Sequence, residues 1–171
     1  LGAPFASGGN HPRFGTCNFI LPLAGGTYVE IVAPLEHPAA SQAPFGAAVR
    51  QRAESGGGWM GWVVQVDDIS AIESRLGRDS VQGHRVRPDG VDVTWRQIGV
   101  NDLIADPQLP YFISWDDMAM HPSTGGGSEL EIASIAISGE KDKVVNWLGE
   151  CGADFVERVD LVWVEDDEPG L

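Results

Sequence analysis

The chain is short of positive charge, of cysteine and of long apolar runs, and each shortage removes a class of function. Eleven Lys and Arg stand against 25 Asp and Glu, a formal charge of −14 over 171 residues. Such a surface repels phosphate backbones and anionic membrane faces, so neither nucleic acid nor membrane is an expected partner. Part of the excess is local: Asp160, Glu165, Asp166, Asp167 and Glu168 crowd the end of the sequence and read as a solvated terminus. The two cysteines, Cys17 and Cys151, lie far apart with no CxxC pair, which argues against a disulfide framework or a zinc ribbon and fits free thiols in a reducing cytosol. No apolar stretch approaches a membrane span, and the first residues lack a basic start, an apolar run and a small-residue cleavage site. The expectation is a soluble cytoplasmic protein. No two histidines have helical i, i+4 spacing, and neither GxSxG nor a phosphate loop is present, so those local motifs supply no chemistry.

What is present is enough apolar material, 43%, for one well-buried domain or two small modules sharing a sheet. The most informative stretch is Gly8 to Pro34. It reads as a polar glycine loop, a strand from Thr16 to Leu23, an Ala24-Gly25-Gly26 turn and a second strand from Thr27 to Ala33, which together make a hairpin. The second strand alternates Tyr28, Glu30 and Val32 on one face with Val29, Ile31 and Ala33 on the other. Glu30 thus falls among apolar and aromatic groups. A carboxylate there needs a cation, a hydrogen-bonding partner, a metal or water.

The remainder alternates helices with groups of strands. Leu1 to Ser7 carry no initiator Met and read as a helix end stopped by Gly2, so a preceding strand and helix are expected outside this chain. Pro34 to Pro44 reads as a connection and Phe45 to Glu54 as a short helix with Phe45, Ala48, Val49 and Arg52 on one face. Past the Ser55-Gly58 break comes an apolar strand from Trp59 to Val66. Asp67-Asp68 then caps a helix to Leu76, in which Ser70 and Glu73 have capping-box spacing and Gly77 is the stop. A loop carrying Arg85, Arg87 and Pro88 leads to an Asp89-Gly90 turn, a strand from Val91 to Gly99 and another from Pro110 to Trp115. After a long loop from Asp116 to Glu129, the pattern gives a strand from Leu130 to Ser138, a helix from Glu140 to Glu150 capped by Ser138, and strands at 154–158 and 161–165. The strand–helix–strand pattern from Trp59 recurs weakly from Leu130. An α+β fold follows, with curved mixed sheets covered on one face by helices. The expected segments are 1–54, 59–122 and 130–171.

The pieces GGNHPRFGT, YVEIVAP, GWVVQVDD, RPDGVDVTWR, LPYFISWDD and the HP that follows resemble the glyoxalase-like domain family of the vicinal oxygen chelate superfamily. That resemblance implies paired βαβββ-type modules whose curved sheets enclose a cup, with the first strand and helix of module one absent from this chain. It also implies ligand positions for a divalent metal, a His or Gln on each module's first strand and a Glu near the end of its last. Glu30 takes one acidic position. Gly61 and Ser114 stand where the second module would place its own ligands, which leaves the metal set incomplete.

The residues themselves suggest a small-molecule site. His11, in a glycine loop, suits a proton shuttle, a metal ligand or a donor to an anionic substrate, or else a loop-fixing hydrogen bond. Tyr28, two residues before Glu30, offers an acid or donor near the carboxylate, or plain cross-strand packing. Asn18 lines the cup and binds a carbonyl or carboxylate oxygen, or satisfies neighbouring backbone. Trp62, Trp95 and Trp115 form an aromatic wall for an apolar metabolite, or core. Arg96 holds a substrate carboxylate or pairs with an acid. His37, His84 and His121 read as surface residues. Three functions remain in view. One is a lyase or isomerase that abstracts a proton next to a carbonyl with Glu30 as base. Another is a metabolite- or drug-binding protein of the bleomycin-resistance type, and the third is a module kept for homodimer contacts.

Overall fold

The computed structural model describes residues 2–125, 128–151, 159–164 and 170. In chain order the elements are β1 (Ala6–His11), β2 (Thr16–Pro22), β3 (Tyr28–Pro34), α1 (Ala39–Gln42), α2 (Pro44–Glu54), β4 (Val63–Gln65) and α3 (Ile69–Leu76). These are followed by β5 (Val81–Val86), β6 (Asp92–Ile98), α4 (Val100–Ala105), β7 (Tyr111–Trp115), β8 (Ser134–Ser138), α5 (Lys141–Leu148) and β9 (Asp160–Val164). The class is α+β with antiparallel and parallel strand pairs, as the sequence pattern requires. The chain divides into two compact units. The first comprises Leu1–Gly58, Gln82–Trp95 and Trp115–Glu131; the second comprises Trp59–Val81, Arg96–Ser114 and Ile132–Leu171.

In the first unit the strands run in the order β3-β2-β1-β5-β6. The β2–β3 hairpin has the expected form, antiparallel from Thr16 opposite Pro34 to Pro22 opposite Tyr28. Its turn is a single 3-10 step in which Gly25 and Gly26 take φ of 70° and 74°, a conformation that costs other residues a steric penalty. The expected glycine loop before it is a strand. β1 pairs with β2 through a bulge between Ser7 and Gly9, with Gly9 opposite Asn18 and His11 opposite Thr16. Gly9, at φ 129°, lies so near the Val86 carbonyl that a Cβ would collide with it. A glycine marks close backbone approach or a bulge inside a strand, and here it does both.

The second correction is β5, expected as a loop. Gly83 lies under the Trp95 indole, where a Cβ would meet Cε2 at 2.5 Å. The glycine that weakens the strand signal is therefore the seat of an aromatic ring. The Asp89-Gly90 turn is present, with Arg87 N–H donating to the Val91 carbonyl at 2.9 Å. Helix α2 opens on Pro44 at its first turn and buries Gly46 and Val49, whereas Arg52, expected on the same face, is exposed. α1 was not anticipated, because its residues lie inside the stretch from Pro34 to Pro44 that reads as a connection.

The second unit has its own core, built from Trp62, Val64, Ile72, Phe112, Ile137 and Val144 with their neighbours. β4 runs parallel to β7, Val63 opposite Tyr111 and Gln65 opposite Ile113, and is far shorter than the strand expected from Trp59. Trp59 is exposed, and Trp62 turns inward with its indole N–H on the Gln108 carbonyl at 3.0 Å. α3 begins and ends as its sequence signals: the Asp68 carboxylate accepts the Ser70 N–H at 2.9 Å, and Gly77 closes the helix in the left-handed region. Glu73 does not complete a capping box but accepts the Ser80 N–H at 2.8 Å. α5 starts from Glu140 rather than Ser138, which ends β8, and it buries Val144 and Leu148 while leaving Val145 exposed. α4 carries no signal that the sequence reading used. β8 and β9 are parallel. The strand expected at 154–158 and the acidic residues 165–168 lie outside the described residues. Among the described residues no helix is long and apolar enough to cross a membrane.

Candidate functional site

Strand pairing in the first unit collects polar side chains on one sheet face. Residues opposite one another share a face, so Glu30 on β3, Thr16, Asn18 and Ile20 on β2, and His11 on β1 all point the same way. Thr16, Asn18 and His11 are fully or almost fully buried. The Asn18 amide donates to Glu30 Oε1 at 2.7 Å, and His11 Nε2 stands 4.0 Å from the same oxygen. At its other nitrogen His11 meets the Thr16 hydroxyl at 3.0 Å, which fixes the ring plane and aims Nε2 at Glu30. The Glu30 side chain keeps 24% of its area exposed, so it is partly open while its surroundings are mostly protein.

The electrostatics are set by burial and by Arg85. Desolvation pushes the Glu30 carboxyl above its ordinary value, opposed by the Asn18 hydrogen bond and by the positive charge of Arg85. His11 is driven down to about 4, by burial first and then by the fields of Arg85 and His84, so its ring is neutral at neutral pH. Burial likewise lowers His121, again helped by Arg85. Arg85 is itself 5% exposed, and a Cβ on Gly8 would come 2.8 Å from its Nη1. Gly8 is the clearance that lets the guanidinium and the Asn18 amide lie over the strand.

A chain of rings borders this group. His11 stands edge-on to Trp95 at 6.2 Å between centroids, Trp95 lies 5.3 Å from Trp115, Trp115 5.5 Å from His121, and His121 5.5 Å from Tyr28. His121, expected at the surface, is 4% exposed and accepts the Ser123 N–H at its Nδ1, which leaves the proton of the neutral ring on Nε2. His37 is exposed and His84 partly exposed, with His84 paired to Asp92 at 2.9 Å. That pair sits in a depression of about 370 Å³ lined also by Arg13, Gln82 and Thr94. By strand alternation this depression is on the face of β5 and β6 away from Arg85 and Trp95, and it brings together none of the expected residues.

Of the expected site residues, His11, Asn18, Tyr28, Glu30, Trp95 and Trp115 therefore belong to the first unit and form one connected group. Trp62 and Arg96 belong to the second. Trp62 is part of that unit's core. Arg96 takes the plainer of its two readings, donating from Nε to the Ser80 hydroxyl at 2.8 Å and lying 3.5 Å from Glu73. The residues missed are Arg85, His121 and Thr16. Alternation through Val81, Gly83 and Arg85 was the available signal for the first.

The donor set does not fit a resident divalent metal. Among the described residues no three His, Cys, Asp or Glu side chains converge. The His–carboxylate approach on this face, His11 to Glu30, lies in the field of a guanidinium, which disfavours a second cation. At Gly61 even a methyl group would collide with the Leu103 side chain, so an imidazole could not stand there.

The α+β fold is of the vicinal oxygen chelate type. The chain belongs to the glyoxalase-like domain family, whose model matches residues 1–152. No curated protein matches it. A solved structure described as a hypothetical protein from Staphylococcus aureus shares the fold at 15% identity, with a TM-score of 0.67 over 97% of this chain and 79% of that one.

Proposed function

We propose that the first unit binds a small carbonyl compound on the Glu30 face and that Glu30 removes a proton from the carbon next to the carbonyl, the opening step of lyase or isomerase chemistry. The observation that carries the reading is the Asn18–Glu30–His11 arrangement: a carboxylate whose affinity for protons is raised by burial, steadied by one amide and still partly open. A base of raised pKa is the stronger acceptor in such a transfer. The C–H electron pair moves into an enolate, the proton goes to Glu30, and negative charge develops on the carbonyl oxygen. A neutral His11, and the Tyr28 hydroxyl, are suited to donate hydrogen bonds to that oxygen without carrying full charge. Return of the proton to another carbon completes an isomerisation; loss of a leaving group from the enolate completes an elimination.

The ring series from Trp95 to Tyr28 favours a second reading, a metabolite- or drug-binding protein that performs no reaction. One comparison separates the two. Compounds found by quenching of tryptophan emission are assayed for turnover with the wild type and Glu30→Gln. The catalytic reading expects binding by both and turnover by the wild type alone. Binding without turnover by either leaves the binding reading, and turnover surviving in Glu30→Gln overturns the base assignment.

A further inference from the structure

Arg85 has no evident structural employment. It is 5% exposed. Among the described residues its Nε has no hydrogen-bond partner, and no carboxylate lies within ion-pair distance of its guanidinium. A guanidinium is charged at any physiological pH and presents five donors in a planar fork, so burial is costly when Glu30, the carboxylate whose charge bears on it, stands beyond ion-pair distance. Three more polar atoms of the same unit are buried without partners among the described residues: the Arg50 Nε on α2 and, within the group of rings and amide described above, the Asn18 Oδ1 and the Trp115 Nε1. In a chain of net charge −14 this face is instead served by a cation, and the two imidazoles nearest it by field, His11 and His121, are held neutral.

We infer that the ligand of this site is an organic acid whose carboxylate pairs with the Arg85 fork while its apolar part lies against Trp95 and Trp115, making Arg85 the residue that selects an anionic over a neutral carbonyl compound. The inference rests on the reading of the Glu30 face as the ligand site and adds the chemical class. The carboxylate supplies what the fork lacks, a planar pair of acceptors at matching spacing. Trp115 N–H is a further donor, and Asn18 Oδ1 is free to accept from a hydroxyl. The substrate class is then an aromatic or branched 2-oxo acid, with its ketone neighbouring the carboxylate. In that pose the guanidinium would also face the developing enolate charge.

A matched pair of probes tests this. Phenylpyruvate and phenylacetone differ in a carboxylate against a methyl group, and both have an acidic carbon beside the ketone. Isothermal titration calorimetry should give wild-type affinity for phenylpyruvate at least about tenfold above that for phenylacetone, the order expected of a charge-assisted pair. Arg85→Gln should erase the preference and Arg85→Lys should keep part of it, with circular dichroism confirming that both variants fold. Equal affinities, a preference that survives in Arg85→Gln, or no binding of phenylpyruvate would overturn the inference. Glu30→Gln keeps the two proposals apart. A carboxylate preference retained while Glu30-dependent exchange of the acidic carbon is missing would sink the base assignment and leave the organic-acid site standing. Glu30-dependent exchange on both probes with no carboxylate preference would do the reverse.

Discussion

The Asn18 side chain gives its amide to Glu30 at 2.7 Å while its own carbonyl oxygen is buried with no partner among the described residues. One end is committed to the carboxylate and the other is held open. Because that hydrogen bond opposes the rise in the Glu30 pKa, Asn18→Ala should move the carboxyl still higher, read by carboxyl-carbon NMR titration. The sign for stability follows. A carboxyl raised above its ordinary 4.5 contributes its full stability below that pH and loses it as pH climbs through the folded value, so the variant should shift this loss to higher pH. A pKa that stays put or falls would mean that Asn18 does not steady the charged form.

His11 has the opposite sign. Its folded pKa of about 4 lies below the ordinary 6.5, so the unfolded chain takes up the proton first and stability is lost as pH drops from 6.5 towards 4. The shift corresponds to about 3 kcal/mol. Denaturant titrations of the wild type and His11→Gln should show their stability gap narrowing by about that amount between pH 7 and pH 4. A gap constant with pH would contradict a buried neutral imidazole.

Gly83→Ala places a methyl group against the Trp95 indole, which is buried and hemmed by His11 and Trp115. Overpacking at such a site costs about 1–3 kcal/mol. The midpoint of unfolding should fall accordingly, and tryptophan emission should change in the folded protein. Unchanged stability would show that Trp95 moves aside freely.

Arg85→Met should raise stability. It keeps most of the unbranched stem and removes a buried charge that has no anion within ion-pair distance, a change expected to contribute about 1–2 kcal/mol in the absence of ligand. Thermal unfolding checks this. A fall of similar size would assign Arg85 to the framework rather than to a ligand.

What the sequence made legible was local. The β2–β3 hairpin, the Asp68 cap and the Gly77 stop are written in contiguous residues, and the position of Glu30 on the inward face follows from alternation once the strand is recognised. β1 and β5 were not legible because Gly8, Gly9 and Gly83 lower strand propensity, and the reason they are tolerated, a nearby carbonyl or ring, comes from chain segments remote in sequence. The same limit governs the arginines. Arg96 and Arg85 look equally able to hold a carboxylate, yet Ser80 and Glu73 occupy the first, while strand pairing carries the second onto the Glu30 face. Trp62 and Trp95 divide likewise, since the turn of the short β4 sends Trp62 into the second unit's core.

Deuterium uptake from D₂O at the carbon beside the ketone of phenylpyruvate, followed by proton NMR in excess of the spontaneous rate, bears most directly on Glu30 as the base. Wild-type protein should catalyse the uptake, and Glu30→Gln should reduce it by about a hundredfold or more, as loss of a general base does, while still binding the compound. Uptake at the same rate by both proteins would contradict the account.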